Sequence, residues 1–151
     1  MKKLNFRFII IPAFIACLCV FVSCKTNDVE ISSDLTFPQM LQRGQDAVAN
    51  GNYKLADKYF IACIDTYGSD LKCYVEARYE LATSFLKQEK YQMAKTMFNE
   101  ILEIYNRPDA MYLVQPKFKK LASLQLQKII AIETAEQEKL DKKAKKSQTS
   151  E

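Results

Sequence analysis

Histidine is absent from this chain of 151 residues. That removes at once the commonest general base, the commonest proton shuttle and the commonest metal ligand. Glycine is scarce. Gly44, Gly51 and Gly68 never cluster, so no glycine-rich phosphate cradle can be drawn. A dominant charge is missing too, once the N-terminus is set apart. Lys2, Lys3 and Arg7 supply three of the 22 basic residues and no acid lies among residues 1–23, which leaves 19 basic against 18 acidic residues, a formal net of +1. A nucleic-acid footprint needs a clustered basic face, and none is expected here. The whole chain is 48% hydrophobic and 26% charged, the composition of a folded domain.

The first residues read as a targeting segment. A basic start, "MKKLNFR", leads into "FIIIPAFIACLCVFVS", an apolar run of 16 residues. That is short of the roughly 20 needed to span a bilayer, and Pro12 interrupts it. An uncleaved anchor and a plain secretory signal are the alternatives. The run stops at "FVSC", where a small residue, Ser23, precedes Cys24. This resembles a bacterial lipobox, with Phe21 where leucine is usual, and the resemblance implies lipidation of Cys24 after removal of residues 1–23. Multiple acyl chains would hold the protein stably on a membrane. The implied location is exported and lipid-anchored, on the periplasmic side of a bacterial membrane, the outer membrane included. Residues 24–36 then form the lipidated cysteine and a polar tether.

From Pro38 onward, apolar residues recur at helical spacing. Tyr53, Ala56, Phe60, Cys63, Ile64 and Tyr67 stand 38 residues before Tyr91, Ala94, Phe98, Ile101, Leu102 and Tyr105. The preceding stripe repeats at the same offset: Leu41, Gly44, Ala47 and Val48 correspond to Tyr79, Ala82, Phe85 and Leu86. One period over so many positions marks a structural repeat. "NGN" at 50–52 breaks the first unit into two helices. Gly68 and Asn106 suit a left-handed cap at the end of each second helix. Small residues at Gly44/Ala82 and Ala56/Ala94 allow close helix approach, while Phe60/Phe98 and Tyr53/Tyr91 fill the groove between. After Pro116, "KFKKLASLQLQKIIAIETA" reads as a closing helix over the last apolar face.

The set Gly44, Ala56, Phe60, Cys63 and its copy Ala82, Ala94, Phe98, Ile101 resembles the tetratricopeptide repeat. The family's tryptophan and closing proline are missing, and the pitch is 38 rather than about 34 residues. The pitch and the endings "TYGSD" and "IYNRPD" are similar to BamD-type outer-membrane assembly lipoproteins. The resemblance implies an all-α fold, an α-solenoid of two helical hairpins plus a C-terminal capping helix over 37–135, with 136–151 a charged, fraying tail. It also implies that Gln45, Tyr79, Thr83, Lys87, Ser123 and Gln127 line a concave surface for a partner protein of the cell envelope.

Other candidates have plainer readings. Cys63 and Cys73 could meet as a disulfide in an antiparallel pair, or Cys63 could fill a small core slot. Two cysteines without histidine do not make a zinc site. Glu76/Glu80 and Glu100/Glu103 have one-turn spacing and read as exposed surface pairs. No nucleophile–base pair is visible, so neither enzymatic activity nor a cofactor is expected. The expectation is a membrane-tethered scaffold for protein interactions. A BamD-like part in outer-membrane protein assembly and a small-ligand-binding transport accessory are the alternatives.

Overall fold

The computed structural model describes residues 31–32 and 34–148. The targeting segment, Cys24 and residues 25–30 of the tether lie outside the described residues, as do 149–151. Among the described residues there are six helices and no strand: α1 (Phe37–Ala49), α2 (Tyr53–Tyr67), α3 (Leu71–Lys87), α4 (Tyr91–Ile104), the short α5 (Ala110–Leu113) and α6 (Lys117–Gln148). None of these helices is long and apolar enough to cross a membrane.

Local chemistry explains the helix starts. Gln39 Oε1 accepts from both the Thr36 backbone N–H and the Thr36 hydroxyl, and Pro38 occupies the first turn of α1. Asn52 accepts from the Leu55 N–H at the head of α2, and Asp70 from the Lys72 N–H at the head of α3. The stops hold a difference from expectation. Gly68 has φ −68° and the cap of α4, Tyr105, has φ −72°, so neither second helix ends in a left-handed residue. The left-handed residues are Gly51 (φ 72°) and Glu89 (φ 60°) instead, again 38 apart. All three connections are three residues long, so length does not decide the difference. The hairpin turns pass through a left-handed residue, whereas the α2–α3 junction runs from right-handed Gly68 into the extended Asp70 cap (φ −84°, ψ 112°).

α1, α2, α3, α4 and α6 each pack on the next, and α1 also touches α3, while α3 touches α6. The chain is therefore an all-α helical repeat, two hairpins closed by α6. The repeated small and aromatic positions meet as the spacing requires. Ala56, Phe60, Cys63, Ala82, Ala94, Phe98 and Ile101 are all fully buried. Tyr53 and Tyr91 are half-buried at the helix starts. Ala122 and Ile129 of α6 complete the core. Among the described residues Cys63 and Cys73 are free thiols: Cys63 fills its core slot, and burial followed by the nearby Cys73 pushes its pKa up to about 11.

Each second helix also reaches the next first helix through polar contacts at equivalent positions. Asp57 of α2 accepts from the Ser84 hydroxyl at 2.6 Å and the Gln88 amide at 3.0 Å on α3. Its counterpart Lys95 on α4 pairs with Glu133 of α6 at 2.8 Å, and Gln92 donates to the same carboxylate. The matched tyrosines do the same for the chain entering a helix. Tyr67 donates to the Leu35 carbonyl at 2.8 Å and Tyr105 to the Gln115 carbonyl, each two residues before a helix start.

Two boundaries differ from the sequence reading. Ile31 and Leu35 pack against the core, so the domain begins at 31 rather than 37. At the other end α6 runs on as helix to Gln148, with every residue from Thr134 to Lys146 exposed.

Gly44 gives a direct test of the packing. A Cβ there would lie 2.4 Å from Cε1 of Phe60, a ring with no free space around it. Gly44→Ala gains about 1 kcal/mol of helix propensity but meets an overpacking cost of about 1–3 kcal/mol. Net destabilisation is expected in urea unfolding, with Phe60→Leu in the same chain recovering part of it. Glu89 gives the opposite test. Glu89→Gly relieves a left-handed side chain and should raise the unfolding free energy by about 0.5–1 kcal/mol.

Candidate interaction face

The first helices α1, α3 and α6 lie side by side, so residues on their shared side form one surface. On α3, Glu76, Glu80, Thr83 and Lys87 follow one another at steps of four, three and four, a single helical stripe. The Gln45 amide of α1 donates to Glu80 Oε1 at 2.9 Å. Lys117 of α6 stands 3.9 Å from Glu76 Oε1. The surface is thus laced across all three helices by polar groups. The Thr83 hydroxyl is enclosed and has no hydrogen-bond partner. Lys87 is exposed in the last turn of α3, where a cation suits the helix dipole.

Glu80 is the electrostatically unusual member. Burial pushes its carboxyl above the ordinary carboxylate range. The Gln45 hydrogen bond opposes the shift, Glu76 adds to it, and Lys87 and Lys117 reduce it. Desolvation and the neighbouring Glu76 together therefore outweigh two cations and a donated hydrogen bond.

The residues expected on the concave surface divide. Gln45, Thr83 and Lys87 come together here. Tyr79 does not: it is buried, with its ring 5.8 Å from Phe98 and 5.4 Å from Phe118. It lies one residue off the polar stripe, and its repeat counterpart is Leu41, a core residue. Ser123 is half-buried beside a different cleft, formed with Leu102 of α4, Asn106 just beyond it, Pro116, Lys119 and Lys120. Gln127 is exposed further along α6. Sequence reasoning missed Glu76, Glu80 and Lys117 as members of the face. The i, i+4, i+7, i+11 spacing from Glu76 to Lys87 was the available signal for the first two; nothing in the sequence paired Lys117 with Glu76.

Elsewhere, Arg78 pairs with Glu100 of α4 and stands over the Tyr74 ring at 5.7 Å. That pair ties α3 to α4 and does not belong to the face.

No family model, no curated protein and no solved structure matches the chain. What defines its class is the architecture itself, an all-helical repeat whose first helices share a polar surface.

Glu80 yields a pH test. A carboxyl whose pKa is raised by folding adds no penalty below its unfolded value, and destabilises the fold once pH exceeds the folded value. Glu80→Gln, which can still accept from Gln45, should raise the urea midpoint at neutral pH. The two midpoints should converge at about pH 3, where both states of the wild type hold the proton.

Proposed function

We propose that this protein is a membrane-tethered tetratricopeptide-like lipoprotein of the bacterial cell envelope, anchored through Cys24, that presents the α1–α3–α6 face to a partner protein. Its mechanism is recognition by a preformed surface, with no chemistry of its own and no cofactor. The observation that carries the reading is the stripe on α3. It sets an enclosed, unpartnered Thr83 hydroxyl between the raised carboxyl of Glu80 and the exposed ammonium of Lys87, on a surface already fixed by cross-helix contacts. The groups open to a partner on this surface are the exposed Lys87 ammonium and the partly exposed Gln45 and Glu76 side chains. The surface is pre-organised, so little ordering entropy is lost when a partner binds.

The test has two parts. Palmitate incorporation is expected in the wild type and lost in Cys24→Ala. A photo-crosslinker at Gln45 or Lys87 is expected to capture one envelope protein that a crosslinker at Ile61 or Met93, exposed on the second helices, does not. Identical capture from both sets of positions would remove the face from consideration.

A further inference from the structure

α6 is far longer than the packing it serves. Its 32 residues extend about 48 Å, whereas α4, its main support, has 14 residues and extends about 21 Å. The last ties between the two are Lys95 and Gln92 to Glu133. Beyond them, about 22 Å of helix continues to Gln148, exposed at every residue from Thr134 to Lys146. An unsupported helix of that length is marginal in water, so its surface chemistry carries information about what it meets.

The exposed side chains of α6 are sorted by charge. Lys128, Lys139, Lys142 and Lys146 fall on one stripe with Leu124, Ala131 and Ala135, each step being three or four residues. All seven are exposed, and Leu124 is 49% exposed. No acid lies on the stripe. Glu133 is turned toward α4, where it pairs with Lys95, and Asp141 lies on the opposite side, bonded to Gln137. Glu138 borders the stripe and stands 4.0 Å from Lys142, and Glu136 shares a shallow cleft with Lys139, Lys142 and Lys146. The result is a basic edge about 33 Å long, with Ala131 and Ala135 between Lys128 and Lys139 and Leu124 at its start.

We infer that this edge of α6 lies against an anionic lipid surface, lysines at the headgroups and Leu124 at the boundary with the acyl chains. Charge complementarity selects the occupant. A line of flexible ammonium groups is drawn to the negative potential of an anionic bilayer surface, and their alkyl stems can lie along its headgroups. The inference extends the membrane-tethered reading. Only six residues separate Cys24 from the packed Ile31, so a tether of at most about 20 Å would hold the domain close to the surface. Side-on contact through α6 would leave the basic edge on the membrane and set the orientation of the α1–α3–α6 face.

The test uses the chain from Lys25 to Glu151, which keeps every core residue and omits the anchor. It is floated with vesicles of phosphatidylcholine alone, or of phosphatidylcholine mixed with phosphatidylglycerol. Binding to the mixed vesicles at low salt and release at high salt are expected. Each lysine near an anionic bilayer contributes about fivefold, so Lys→Gln at 128, 139, 142 and 146 together should weaken binding by at least about a hundredfold, with an unchanged melting curve. Equal binding to neutral vesicles, or undiminished binding by the fourfold variant, would overturn the inference. So would tighter binding to a DNA duplex than to the mixed vesicles at the same salt. A failed palmitate labelling would remove the anchor and leave this result standing, so the two readings are separable.

Discussion

The contact between a small residue on each first helix and a phenyl ring on each second helix governs the rest of the structure. Gly44 has no room for even a methyl group over Phe60, and Ala82 and Phe98, their counterparts 38 residues on, are both fully buried. Close approach at these points lets the fully buried rings fill the hairpin interior without voids, which is where dispersion and hydrophobic burial are strongest. It also brings α1, α3 and α6 within reach of one another. The Gln45–Glu80 hydrogen bond and the Lys117–Glu76 contact follow from that spacing.

Between units the repeat keeps geometry and changes chemistry. Asp57 and Lys95 occupy equivalent positions with opposite charge, yet both fasten a second helix to the next first helix. Each charge is matched by its own partner: Ser84 and Gln88 in one case, Glu133 in the other. Ser84 is fully buried, so its hydroxyl depends on Asp57 for satisfaction. Such pairs fix register between helices whose apolar contacts alone would tolerate sliding. The last of them, at Glu133, also marks where α6 leaves its support and becomes a free basic edge.

Much of this was legible from one chain because a repeat carries its own alignment. The 38-residue offset located both hairpins, the small and aromatic positions, and the tyrosine pair Tyr67 and Tyr105. The same offset placed Tyr79 over Leu41, a core residue, and that internal signal was a better guide than analogy with concave surfaces in other repeats. The offset also places Glu89 over Gly51; the shared left-handed turn was hidden because glutamate rarely adopts that conformation. Glu80 looked like half of a solvated surface pair. Its burial depends on α1 and α6 closing over it, which no local pattern encodes.

The sequence by itself determined the helices, their pairing into hairpins and the residues that fill them, since these follow from periodicity, caps and volume within one short stretch of chain. Tertiary structure decided which polar side chains share a face, that Tyr79 belongs between Phe98 and Phe118, and that Ile31 and Leu35 join the domain. It also decided where α6 runs out of neighbours. The physical reason is that burial, desolvation and charge pairing are properties of helices assembled side by side. Each depends on residues distant in sequence whose relative rotation is fixed only when the small-to-aromatic contacts close.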